Sequence, residues 1–193
     1  MNEPDDPRRT YITIAAQKFA KDGFHGTSLA ALAKEAGVTK QALLHFFGTK
    51  ERLYAEVLKD LAARLCEEID ATTHPDPATH LITYLTRFGT TAWTEPQDAR
   101  LVVRALLDSD PQARVWPMKP YLDKLVVLAQ ATPGGQRQKP EATHAWVFQI
   151  IGALQYWAIS ATALNGMYGE KTSEALARQF DTDIARQIRD FVA

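Results

Sequence analysis

Four residues in one short stretch carry the chemistry that matters most: Lys40, Gln41, Leu44 and His45. Their spacing puts them on one side of a helix, away from the apolar set Leu43, Phe46 and Phe47. Lysine only donates hydrogen bonds, while glutamine and histidine can donate and accept. Such groups beside a small apolar contact suit the edges of bases in the major groove of DNA. Gln41 has the amide that pairs with an adenine edge, and His45 is the second reader.

The elements that must position these side chains lie on either side. Thr27 and Ser28 stand where a preceding helix begins, and threonine and serine are good N-caps. Leu29, Leu32 and Ala33 give that helix one apolar face. Gly37 then supplies a corner, Ala33 or Ala36 a close contact between helices, and Val38 and Leu43 an apolar lock. This is the pattern of a helix–turn–helix, whose second helix enters the groove while the first crosses the backbone. A plain helical hairpin inside an all-α domain satisfies the same periodicity and the same glycine.

Before this motif, Arg8 to Lys21 predicts a helix with Ile12, Ala15, Ala16 and Phe19 inward, ended by Gly23 and Gly26. After it, a long helix is expected from about Thr49 to Ala71, with Leu53, Val57, Leu61, Leu65 and Ile69 as its stripe. Lys50 and Arg52 fall in its first turn, where a cation opposes the helix dipole. A DNA phosphate at this N-terminus would favour them, and plain solvation of the turn is the alternative. Arg8 and Arg9 leave the same two readings open.

Residues 8–55 resemble the DNA-binding domain of the TetR family of bacterial transcription regulators. The resemblance rests on Ala15, Phe19, Gly23-Phe24, Thr27-Ser28, Ala33, Ala36-Gly37-Val38-Thr39, Ala42-Leu43, His45, Phe47, Lys50-Glu51 and Leu53, in register without a gap. It implies an all-α protein with a three-helix DNA-binding domain at 8–55 and a helical ligand-binding and dimerisation domain at 56–193. It implies DNA contacts at Thr27, Ser28, Thr39, Lys40, Gln41, Leu44, His45 and Lys50. Three positions depart from the family's habit. Leu44 replaces a frequent tyrosine, Gly48 a frequent basic residue, and Lys18 a frequent apolar one.

The charge distribution agrees with a nucleic-acid face. The chain of 193 residues has a net charge of −1, but Arg8–Tyr54 holds eight basic and three acidic residues. That segment is therefore at +5 and the remainder at −6. The single cysteine, Cys66, excludes an intrachain disulfide, and the carboxylates beside it are expected to raise its pKa. The polar, acidic start MNEPDDPRR lacks the apolar core of a signal peptide, so a cytoplasmic setting is expected.

The prolines of residues 73–80 break the helical pattern and open the body. Helices are expected at about Ala78–Trp93, Gln97–Leu107 and Tyr121–Ala131, with a kinked segment at 111–120 and a flexible loop at 132–140. Ala142 to Gly169 contains no charged residue, yet seven polar residues interrupt it, so a membrane span is not expected. A helix without a charged face should be buried on both sides, one of them against a second subunit. Gly152, Ala153, Ala158 and Ala161 would allow close approach. With a last helix at about Ser173–Phe191, the resemblance implies a homodimer through residues 142–191, bound to a near-palindromic operator in double-stranded DNA.

No catalytic set is apparent: there is no HExxH, no glycine-rich phosphate loop and no GxSxG. The expectation is neither an enzyme nor a cofactor or metal protein. Trp93, Trp116, Tyr121, Phe148, Gln149 and Tyr156 are candidates to line a pocket for a small apolar or aromatic effector that releases the repressor. A helical enzyme with a vestigial helix–turn–helix, or a regulator answering to a protein partner, are the alternatives.

Overall fold

The computed structural model describes residues 6–107 and 117–193. Ten α-helices and no strand are found among the described residues. They group into two compact units, one of Met1–Arg64 with Arg100–Lys119, the other of Leu65–Ala99 with Pro120–Ala193. The first unit is thus larger than the 8–55 expected from sequence, because a distant segment joins it.

In the first unit, α1 (Pro7–Gly26) starts where the Asp6 carboxylate accepts from the Arg8 amide. It breaks at Gly23, whose φ of 75° only glycine adopts without strain. The short helices α2 (Leu29–Glu35) and α3 (Lys40–Phe47) follow, then α4 (Lys50–Ala71). Phe19, Phe24, Leu32, Leu43, Phe47, Leu53 and Tyr54 form the core they share. Phe46 does not join it: it is 42% exposed, with its ring edge-on to Tyr11. Leu43 and Phe47, one turn apart, already fill the inner face of so short a helix, and Phe46 falls to the side. Lys18 finds carboxylates on both sides, Asp22 at 3.3 Å and Glu35 at 3.7 Å, so the unusual cation ties α1 to α2.

The second unit contains the end of α4, then α5 (Pro77–Thr94), most of α7 (Lys119–Ala131), α8 (Pro133–Gln136), α9 (Pro140–Tyr168) and α10 (Glu170–Val192). The intervening α6 (Gln97–Leu107) begins in this unit and continues in the first. Asp76 caps α5, accepting from the Thr79 amide at 3.0 Å. The histidines flanking this turn are each engaged by backbone, His74 with the Asp76 amide and His80 with the Ile69 carbonyl. Leu81, Tyr84, Leu85, Leu125, Ile150, Leu154 and Ile188 lie in the core, and Trp146 stacks on Phe191 at 3.7 Å.

One expectation for this unit is corrected. Residues 132–140 are not a flexible loop. The buried Thr132 hydroxyl donates to the Ala129 carbonyl at 2.8 Å and accepts from the Gly135 amide at 3.0 Å, starting α8. The two glycines are there because backbones nearly touch: a Cβ on Gly134 would lie 1.7 Å from the Phe191 carbonyl oxygen. Within the subunit, α9 is buried on one side. Val147, Ile150, Leu154 and Ala158 face the core, while Phe148 is 59% and Tyr156 70% exposed. By length and composition alone α9 is apolar enough to cross a membrane. Asp108-Ser109-Asp110, Pro111 and Trp116 lie outside the described residues.

The glycine contacts generate a paired test. Gly134→Ala forces backbone apart and is expected to destabilise by about 1–3 kcal/mol or more. Gly166→Ala, in α9 with open space around it, is expected to stabilise by roughly 0.5–1 kcal/mol. Denaturant unfolding of both variants checks the pair.

Candidate nucleic-acid interface

The reading motif is built by caps and two glycine turns. The Ser28 hydroxyl accepts from the Ala31 amide at 3.1 Å and starts α2. At its end, the Val38 amide donates back to the Ala33 carbonyl at 2.9 Å across Gly37, whose φ is 67°. The Thr39 hydroxyl then accepts from the Ala42 amide at 3.2 Å and starts α3. Gly48, with φ 75°, closes α3, so its departure from a basic residue serves the turn. Thr49 starts α4 by accepting from the Arg52 amide at 3.2 Å.

With α3 fixed on its inner side by Leu43 and Phe47, its outer side presents Lys40, Gln41 and His45 exposed, with Leu44 half-buried between them. Thr39 and Ser28 are exposed at the N-termini of α3 and α2, where free amides and the positive dipole end suit a phosphate. These six residues are the part of the expected interface that the fold leaves open to a ligand.

Two of the expected DNA contacts are otherwise employed. Thr27 is 1% exposed, and its hydroxyl donates to the Gly23 carbonyl at 2.8 Å. The helix starts one residue later, at Ser28, which leaves Thr27 inside. Lys50 does not project from its helix toward solvent. Its ammonium donates to the carbonyls of Phe24 at 3.0 Å and Thr27 at 3.2 Å, and lies 4.1 Å from the centre of the Phe24 ring. These acceptors answer why a cation tolerates the positive end of α4. Arg8 is also occupied, paired with Glu56 and set 5.6 Å over the Phe47 ring. The hydrogen bond from Arg8 holds the Glu56 carboxyl below its ordinary pKa.

The expected effector residues do not converge. Tyr121 is fully buried and accepts a hydrogen bond from the Tyr84 hydroxyl at 2.9 Å. Burial pushes both phenols well up, as it does the Cys66 thiol. Phe148, Gln149 and Tyr156 sit on the open side of α9, because they fall opposite Val147, Ile150 and Leu154 on the helix. Trp93 borders a groove of about 540 Å³ shared with Asn165, Ser173 and Glu174. Behind Trp93 the ring of Trp157 stacks at 5.9 Å, with Phe180 against it.

Because Lys50 closes the turn before α2, Lys50→Met is expected to destabilise the protein by about 1–3 kcal/mol, since its bonds are charge-assisted. Chemical denaturation without DNA is the check, and unchanged stability would free Lys50 for a phosphate.

Comparison with known proteins meets this geometry at the same residues. Residues 12–57 match the family described as bacterial regulatory proteins, tetR family. Over 54 residues the chain is 41% identical to the HTH-type transcriptional regulator RutR of Escherichia coli, covering 28% of this chain and 26% of RutR. Over 68 residues it is 29% identical to the HTH-type transcriptional repressor AcnR of Corynebacterium efficiens, covering 35% and 36% of the two chains. The chain thus matches about a quarter to a third of the length of these relatives. The fold extends further. The fatty acid degradation regulator FadR from Bacillus halodurans superposes with a TM-score of 0.72 at 18% identity, covering 95% of this chain and 97% of that one. FadR from Bacillus subtilis, solved in complex with stearoyl-CoA, gives 0.67 at 15% identity, covering 96% and 99%. The capped helix–turn–helix thus lies inside the segment, residues 12–57, that matches the tetR family of bacterial regulatory proteins, and the fold of the chain as a whole is that of the solved structures named above.

Proposed function

We propose that this protein is a sequence-specific DNA-binding transcription regulator, and a repressor that a small molecule releases from its operator. The observation that carries the reading is the outer side of α3. Three exposed polar side chains, Lys40, Gln41 and His45, stand on a helix whose other side is locked in a core. In this reading Gln41 and His45 address base edges in the major groove, and Lys40, Thr39 and Ser28 hold phosphates.

The proposal includes a homodimer through residues 142–191. Its support is the outer side of α9, where Phe148, Gly152 and Tyr156 stand in line on a helix that carries no charge after Glu141 in its first turn. Ala158, also a small residue of this helix, belongs instead to the subunit's own packing with Ala92 and Ala99. A two-fold dimer requires a near-palindromic operator, with half-sites about 34–36 Å apart or a multiple of that.

For the effector, the Trp93 groove is the candidate that remains, and its volume lies within the range of small-molecule sites. Trp93, Ala161 and Ala177 give the groove an apolar side that suits an apolar or aromatic ligand, while Glu170, Glu174 and Arg178 give it a charged rim. Bacillus subtilis FadR binds stearoyl-CoA on the same fold, which supports a small-molecule effector as a class. Release requires that the effector bind one conformation better than the other. α4 is one unbroken helix with Lys50 in its first turn and its last turn in the other compact unit, so a tilt of it is the simplest coupling.

Gln41→Ala is expected to relax preference at one operator position, costing about 1–3 kcal/mol there and little elsewhere. Mobility shifts on duplexes from the DNA flanking its own gene measure this; an unchanged preference would remove Gln41 as a reader. Tyr156→Arg places a charge on the open side of α9 without touching the core. Light scattering should find the variant at half the mass of the parent, and an unaltered dimer would exclude that side as the interface.

A further inference from the structure

The turn between α1 and α2 is held by a residue that no part of the helix–turn–helix motif contains. At Gly23 the helix stops, so the carbonyls before it lose their helical partners. Arg104, on α6 and in the same compact unit, takes two of them. Its Nε donates to the Ala20 carbonyl at 3.0 Å and its Nη2 to the Lys21 carbonyl at 2.8 Å. Its third nitrogen occupies the space a side chain at position 23 would need: a Cβ there would lie 2.9 Å from Nη1. A guanidinium at a helix C-terminus meets both the orphan acceptors and the negative end of the dipole. Its planar fork serves two adjacent carbonyls from separate nitrogens in a fixed geometry, which the single rotatable ammonium of a lysine does not pre-set.

Three donors therefore fix this turn from three directions. Thr27 takes the Gly23 carbonyl, Lys50 takes those of Phe24 and Thr27, and Arg104 takes those of Ala20 and Lys21. Ser28 begins α2 immediately afterwards. Of the three, Arg104 alone comes from beyond residue 64. We propose that Arg104 is a positioning residue for DNA binding: it sets the exit of α1 and so the presentation of α2 and α3, without touching DNA itself. The inference rests on the DNA-binding reading above and goes beyond it by assigning the geometry of the reading head to α6.

The test uses the full-length protein with Arg104→Ala and Arg104→Lys. Operator affinity is measured against salt concentration, and amide hydrogen exchange is measured without DNA. Arg104→Ala should weaken operator binding on the order of tenfold, as loss of charge-assisted bonds would. The slope of log affinity against log salt should stay that of the parent, because no phosphate contact is lost. Exchange should quicken at the Thr27 amide, which donates to the Phe24 carbonyl within the turn. Arg104→Lys should recover part of the affinity, having the charge but not the fork. A slope reduced by about one charge would make Arg104 a phosphate contact and overturn the proposal. Unchanged affinity in both variants would overturn it too. Should Arg104→Ala not fold, the lysine variant decides by the same two readouts. If the parent itself binds no DNA, the DNA-binding reading fails, and unchanged exchange at Thr27 then separately refutes the role of Arg104 in the turn.

Discussion

A helix that stops leaves backbone carbonyls in need of donors, and in this protein that need falls at the point where DNA reading must begin. The break at Gly23 turns the chain out of α1 and into α2 within a few residues. Water could satisfy the exposed carbonyls, but water would not fix the angle of the turn. Thr27 and Lys50 satisfy them with protein donors instead. One of these is a full charge, which makes its bonds stronger than a neutral pair. The outward direction of α3 follows from this, because the short helices α2 and α3 have few buried residues of their own. Leu32 and Ala33 on one and Leu43 and Phe47 on the other set only where they lie. The turn sets where they start.

The same constraint explains why so few side chains remain for recognition. Thr27 and Lys50 are consumed by the scaffold, and Arg8 is paired with Glu56. The exposed side chains of Lys40, Gln41 and His45 make no hydrogen bond or ion pair among the described residues, His45 having only an edge-on contact with the Phe46 ring, and that is the physical basis for assigning them to a ligand. Leu44 and Gly48, which depart from the family's habit, fit the same division. The glycine is needed for a turn with positive φ, and the leucine fills the space between the readers.

The local features of this domain were legible in the sequence because they depend on neighbours in the chain. Gly37 at a corner, Ser28 at the start of α2 and the inward positions of Leu43 and Phe47 are all consequences of periodicity and backbone geometry. Features that depend on distant partners were not legible. Nothing near Lys50 in sequence says that carbonyls more than twenty residues earlier would take its ammonium. The Pro133-Gly134-Gly135 run reads as a loose loop, since glycine is the commonest breaker. Gly134 is required because the last turn of α10 passes at backbone distance, and Gly135 because a Cβ there would lie 2.0 Å from the Ala129 carbonyl oxygen. The candidate effector residues were only partly legible for a third reason. Aromatic content locates apolar surface but not whether that surface faces a cavity, a core or a second molecule. Among the described candidates, Tyr121 lies in the core, Phe148 and Tyr156 face outward, and Trp93 borders a groove.

The central claim is that the outer side of α3, with the N-termini of α2 and α3, is where DNA binds. Amide chemical-shift mapping during titration with a duplex from the DNA flanking its own gene addresses it most directly. The account predicts the largest shifts at Ser28 to Ala30 and Thr39 to His45, diminishing as salt is raised. Shifts centred on α9 and α10, or no salt-sensitive shift at α3, would contradict it.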